Sequence, residues 1–445
     1  MKTKLSGKFY LSLIIFSLFG QIAWVVENMY LNVFLSKEFA ADSYQVALMV
    51  SLSAITATIT TLLIGALSDK LGKRKIFICA GYIIWGLSIL CFSLFTRDSL
   101  TNLLGPGVDV AAFGITMIIL FDCIMTFFGS SANDACFNSW LTDSTDSTNR
   151  GSVEGINSMM PLIAILIVFG LLSGFAVEGK WHIMFIILSI LTISAGIIGT
   201  FTIKDVPIEA KKDSHYFKDI FYGFKPSSVK ENKSLYAVLI LTALFGIGVQ
   251  IFMTFLVQYY DATIEGTFLG FDKYVIIMAP AIVLAAIFTA FYGKLYDKIG
   301  FFKSILGSLS ILIIGLFMLF IFKNPNEQLI LVFIGSLLMM CGYLGTTAIL
   351  GAKIRDLTPE GKVGLFQGIR IIAQVLIPML IGPWLGAVSL SGNFTYDENV
   401  LTGGYSYPLN SNIFLAAAIV IILTLGTSIF INQFYLKEEN NNEIN

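Results

Sequence analysis

Apolar positions run in stretches longer than any soluble helix or strand needs, and the polar residues gather in the breaks between them. Spanning a hydrocarbon core of about 30 Å takes roughly 20 apolar residues at the helical rise. Only helices and closed barrels satisfy their own backbone in lipid. Runs near 9–35, 44–66, 76–96, 110–138, 152–177, 182–203, 235–260, 273–292, 304–322, 328–352, 364–388 and 411–436 therefore predict twelve transmembrane helices. The first run, about Phe9 to Leu35, exceeds a signal-peptide core and has no small-residue cleavage site after it, so it is expected to stay as the first span.

Composition agrees with an all-α membrane protein: 445 residues, 56% hydrophobic, 13% charged, with a mean hydropathy of +0.81. Soluble chains carry about 25% charged residues. A net charge of −1 and the absence of a basic domain give no sign of nucleic acid. Cys79, Cys91, Cys123, Cys136 and Cys341 lie irregularly inside apolar runs, where cysteine behaves as a small hydrophobe. With only His182 and His215, no metal site or cofactor is expected.

Charge orients the chain. Of its 28 Lys and Arg, five lie singly in loops on one side: Lys37, Arg97, Lys180, Lys273 and Lys323. Arg370 lies inside a span, and the remaining 22 fall on the side of both termini. The positive-inside rule makes that side cytoplasmic. The stretch 204–234 holds seven of those positive charges and is read as a linker with a short surface helix. It divides an N-terminal six-helix bundle, 1–203, from a C-terminal one, 235–436, and a tail at 437–445 is expected to be disordered.

Two loop sequences occur twice. GALSDKLG at 65–72 matches GKLYDKIG at 293–300, and DSTDSTNRGSVEG at 143–155 matches DLTPEGKVGLFQG at 356–368. Gly65, Asp69 and Gly72 thus correspond to Gly293, Asp297 and Gly300, while Asp143 corresponds to Asp356 and Glu154 to Gln367. The glycines permit the reversal between spans. Each aspartate can aim a carboxylate at the positive end of a neighbouring helix.

GALSDKLGKRK resembles the signature loop between the second and third helices of the major facilitator superfamily, and the degenerate copy after the eighth helix fits that family too. The resemblance covers essentially the whole chain. It implies two pseudo-symmetric six-helix bundles, alternating access, and a gate in which Asp69 and Asp297 latch the cytoplasmic side. Arg74, Asp143, Arg150 and Glu154 are counted with that gate. GQIAWVVENMYLNVFL at 20–35 and SSANDACFNSWLTD at 130–143 also resemble bacterial sugar–cation symporters of the glycoside–pentoside–hexuronide and sucrose–proton groups. The fourth helix departs from the glycoside group, having Asp122-Cys123-Ile124 where that group has Asp-x-Pro-aromatic.

A charge inside a span costs roughly 2.5–3.5 kcal/mol even on lenient insertion scales, so each needs a reason. Asp122 and Asp134 in helix four, Glu27 in helix one and Arg370 in helix eleven are candidate cation-coupling residues. Carboxylates bind H⁺ or Na⁺, and an arginine can pair with one when the cation leaves. Asp134, Arg150 and Glu154 could equally form a structural ion-pair network. Asp122, Thr126, Gly129 and Asn133 share one helical face, as do Gln21, Trp24 and Asn28. Candidate solute-binding residues are Gln21, Trp24, Asn28, Asn133, Gln250 and Gln374; the Trp24 ring suits a sugar face or simple packing. Pro161, Pro280 and Pro378 are expected to bend helices five, eight and eleven.

These readings point to a monomeric plasma-membrane importer of a sugar or similar polar solute, coupled to H⁺ or Na⁺. A proton-driven exporter, with a cavity of Phe and Met, and a non-transporting receptor or scaffold are the rival classes. An enzyme is not expected, since no nucleophile–base pair, metal cluster or phosphate loop is visible.

Overall fold

A computed structural model describes residues 5–105, 107–145, 149–205, 221–264, 267–268, 271–322, 326–359, 363–391, 395–396, 405–406 and 409–433. Twelve helices among them are long and apolar enough to cross a membrane. They are α1 (Gly7–Phe39), α2 (Ser43–Leu71), α3 (Lys75–Phe92), α4 (Val110–Asp143), α5 (Met159–Val177), α6 (Trp181–Thr202), α7 (Lys233–Asp261), α8 (Tyr274–Tyr296), α9 (Lys298–Ile321), α10 (Leu329–Leu357), α11 (Gly368–Ser391) and α12 (Asn412–Ile431). The chain folds as two compact units, the first carrying α1 to α6 and the second α7 to α12. The tail and much of the 204–234 stretch lie outside the described residues, as do the side chains of Arg150, Glu154, Asp297 and Gln367.

Local chemistry sets the helix ends. Asp42 begins α2 with a reciprocal cap: its carboxylate accepts from the Gln45 amide at 2.8 Å, and its own amide donates to Gln45 Oε1 at 2.9 Å. Gly72 closes α2 in the left-handed conformation, φ 63°, and Gly300 makes the matching turn after α8 at φ 78°. A side chain would strain either turn. Large aliphatic and aromatic residues such as Phe201, Leu171 and Ile330 remain exposed, as expected of surfaces that face lipid. Close helix contacts rest on small residues: a Cβ on Gly342 would come within 2.4 Å of the Leu312 backbone, tying α10 to α9.

Several spans are not uniform α-helices. Turns of π-helix widen α1 at Val26–Leu31, α4 at Ser130–Phe137, α5 at Val168–Leu172 and α11 at Ile372–Leu376. The one in α11 has a local cause: Pro378 has no N–H to give to the Gln374 carbonyl, and its ring crowds that turn. Pro161 and Pro280 also lie inside helices. In α7 the regular helix stops at Met253 and resumes at Leu256. Val26 and Thr254 are 228 residues apart, the spacing that also separates Gly65 from Gly293. The repeat thus extends from the loops into the irregular turns of α1 and α7.

After the undescribed part of the linker, a 3₁₀ turn at Phe221–Phe224 and a short helix at Pro226–Glu231 belong to the second unit. The Tyr222 ring meets Phe366 edge-on at 5.7 Å, and the Tyr236 hydroxyl donates to the Gly223 carbonyl.

Candidate functional sites

In the first unit, three helices bring polar oxygens together. The widened turn of α1 presents Glu27, which is 7% exposed. Ser53 of α2 and Thr126 of α4 each donate to Glu27 Oε1 at 2.8 Å. The two hydroxyls are themselves 2.8 Å apart. Asp122, one turn before Thr126, is 1% exposed and close enough to both Ser53 and Glu27 to interact with them. Glu27 Oε2 and Asp122 Oδ1 are buried without a hydrogen-bond partner. Such orphaned acceptors are costly, and native proteins rarely keep them without a reason.

Asp134 stands apart from this pair. Its carboxylate accepts from Ser130 at 2.9 Å within the π turn of α4. That turn also changes the fate of Asn133, expected on one wall with Asp122, Thr126 and Gly129. The wider turn from Ser130 onward rotates Asn133 into the packing against α1 and α3, where its amide donates to Tyr82 Oη and to the Phe16 carbonyl. Asn133 is a satisfied core amide rather than a cavity wall. Gly129 lies under the Trp85 and Trp24 rings, which meet at 5.0 Å. Trp24 therefore packs against an indole, while Gln21 stays half-buried and Asn28 exposed, its amide bonded to the Trp24 carbonyl at 2.8 Å.

The loop between α2 and α3 forms a second polar cluster. Arg74, 5% exposed, holds Asp69 and the Ser68 hydroxyl, and its Nε meets Asp143 Oδ2 at 3.1 Å. Burial opposes the charge on Arg74, but the two aspartates more than offset that and hold the guanidinium above its usual range. Sequence reasoning aimed Asp69 at a helix end. The structure gives that task to Asp205 instead: Oδ1 accepts from the Arg74 and Lys75 amides at 2.9 and 2.8 Å, capping α3. Asp205, Ser53 and Ser68 were missed, because short polar residues next to or inside apolar runs carry no pattern of their own. Gly65 lies within α2 and Gly293 within α8.

In the second unit a cavity of about 340 Å³ opens between α7, α10 and α11. Gln250 and Gln374 line it, together with Thr242, Thr347, Tyr343 and Phe245. Two of the expected solute-binding amides thus meet in one place. Gln250 Oε1 accepts from Thr254 at 3.3 Å, while Gln374 is exposed to the cavity side by the π turn before Pro378. Arg370 lies four residues before Gln374 on α11.

Two six-helix units with a duplicated glycine-turn loop now meet a direct comparison. The profile of the Major Facilitator Superfamily matches residues 10–383. The chain belongs to that superfamily. An uncharacterized MFS-type transporter of Methanocaldococcus jannaschii is 22% identical over 366 residues, covering 80% of this chain and 83% of that protein. Among solved structures, a mutant form of the nucleoside transporter NupG superposes with a TM-score of 0.71 at 14% identity, over 95% of this chain and 99% of that one. A bacterial homolog of the human lysosomal transporter Spinster, inward-facing and occupied, gives 0.66 at 14% identity over 96% and 97%. At such identities the likeness is one of fold. Membership of the superfamily makes this multi-pass membrane protein a transport protein and not an enzyme.

Proposed function

We propose that the protein is a cation-coupled secondary transporter of a small polar solute, such as a sugar, working by alternating access. The observation that carries this reading is the Glu27–Asp122 pair, two buried carboxylates from different helices that both interact with Ser53 and keep one orphan oxygen each. A cation is what such a site lacks.

Counting protons favours H⁺ over Na⁺. Glu27 Oε1, Ser53 Oγ and Thr126 Oγ1 form a triangle with every edge at 2.8 Å. Two hydroxyls supply two protons for three edges. With Glu27 ionised, both point at the carboxylate and the Ser53–Thr126 edge sets lone pair against lone pair. A proton on Glu27 lets the three groups donate in sequence and closes the ring. Loss of that proton reopens it, and a change in packing between α1, α2 and α4 is what couples proton binding to movement of the helices.

The solute side of the reading rests on Gln250, Gln374, Thr242 and Thr347, which line the cavity of the second unit beside Phe245, Val249, Leu350 and Pro378. The reading places the protein in the plasma membrane, monomeric and without a cofactor, with both termini in the cytoplasm, where 22 of the 28 positive charges gather. Uptake of labelled carbohydrates into proteoliposomes under an imposed H⁺ or Na⁺ gradient tests it. Gradient-driven accumulation is expected, and its absence for every carbohydrate removes the substrate claim.

A further inference from the structure

Arg370 is an intramembrane charge that the pair at Glu27 and Asp122 leaves unexplained. Its Nε is buried and has no hydrogen-bond partner, and no described acid pairs with it. The described charge that acts on it is another cation, Arg355. Neither arginine lines the α7–α10–α11 cavity itself, but each lies one helical turn from a residue that does: Arg370 from Gln374, and Arg355 from Gly351. Asp356, beside Arg355, accepts from Tyr296 at 3.3 Å.

The internal repeat sharpens the anomaly. Arg370 corresponds to Asn157, and Phe245 to Ser17, by the spacings of the two duplicated loops. In the first unit this pair is closed, with Ser17 Oγ donating to Asn157 Oδ1 at 2.6 Å. In the second unit the same two positions hold a ring that lines the cavity and a guanidinium whose Nε is buried without a hydrogen-bond partner among the described residues. One half has a hydrogen bond between α1 and the helical turn that leads into α5. The other has a charge there, and no described acid pairs with it.

We infer that the transported solute is an organic anion, whose carboxylate is held by Arg370 beside the cavity while Gln250 and Gln374 bind its neutral polar groups. A guanidinium offers a carboxylate two parallel N–H donors, the arrangement that Arg provides best. An anion there also relieves the repulsion between Arg370 and Arg355. This inference rests on reading the cavity as the solute site.

The test pairs charged with neutral solutes of one shape: glucuronate against glucose, galacturonate against galactose, and benzoate against benzamide. Each is offered to the full-length protein in proteoliposomes under a proton gradient, with inorganic phosphate as a competitor. The acid of a pair is expected to accumulate at least roughly tenfold better than its neutral partner, with phosphate a weak competitor. Arg370→Gln is expected to abolish that preference, and Arg370→Lys to restore part of it, with the melting temperature of each variant reporting its folding. Accumulation of neutral members as readily as the acids overturns the inference and leaves the transport reading standing. So does an acid preference that survives in Arg370→Gln. Strong competition by phosphate replaces the carboxylate with a phosphoryl group and overturns the assignment. Failure of every member to accumulate in the wild type removes both readings together.

Discussion

The two six-helix units share a plan but not a chemistry, and the difference is clearest at equivalent positions. Glu27 of α1 corresponds to Phe255 of α7, so the buried acid of the first unit is a packed ring in the second. Gln250 corresponds in turn to Ile22, so the cavity amide of the second unit is a core aliphatic in the first. The loops diverge likewise. Arg74, which draws Asp69 and Asp143 together, has Phe302 as its counterpart. There Asp356, the equivalent of Asp143, has one long bond among the described residues, accepted from Tyr296. The backbone plan occurs twice, with buried carboxylates at Glu27 and Asp122 in the first unit and cavity amides at Gln250 and Gln374 in the second. A transporter that must bind an ion and a solute with separate affinities gains from that separation.

Four substitutions probe this asymmetry, in descending order of expected effect. Arg74→Ala strips a buried guanidinium from two carboxylates and a hydroxyl. Breaking a buried pair costs about 3 kcal/mol at the lower end of its range, which is apt because Asp69 is 39% exposed. The melting temperature should fall by several degrees, and an unchanged melt would show that the loop network is ornamental. Asp122→Asn should keep the fold and lose accumulation. A driving force of about 100 mV amounts to ~2.3 kcal/mol, or roughly 40-fold concentration, and flux measurements should show the variant equilibrating instead. Retained accumulation there would place coupling elsewhere than in the first unit. Gln250→Leu removes one hydrogen bond to solute, about 1–1.5 kcal/mol, or roughly tenfold in KM. Its coupling should stay intact, and a loss of coupling would show that the units do not divide the work. Tyr296→Phe, which deletes the second unit's weak equivalent of the Arg74 cluster, should cost less than about 1 kcal/mol in a thermal melt.

Much of this was legible in the linear chain, and the exceptions have physical reasons. Twelve spans and the duplicated loops could be read because lipid imposes length and composition on every helix. Glu27 and Asp122 stood out because a charge in an apolar run is expensive. Their shared partners did not. Ser53 and Thr126 are two among many span hydroxyls, and only the folded positions of α1, α2 and α4 bring them to one oxygen. Asn133 was misplaced because an α-helical wheel assumes a constant pitch, and the π turn from Ser130 breaks it. The cavity amides Gln250 and Gln374 were recognisable singly, yet their convergence depends on Pro378 widening α11. That Arg370 Nε meets no described partner was invisible for a similar reason, since sequence shows a charge but not what fails to reach it.

The most direct test of the central claim follows solute in proteoliposomes carrying wild-type or Glu27→Gln protein, measuring both proton-driven accumulation and exchange at equilibrium. Glutamine keeps the shape of the side chain and an oxygen for Ser53 and Thr126 but cannot gain or lose the proton. The account predicts that the wild type accumulates solute under a pH gradient, while Glu27→Gln exchanges solute across the bilayer and accumulates none. Undiminished accumulation by Glu27→Gln would contradict it.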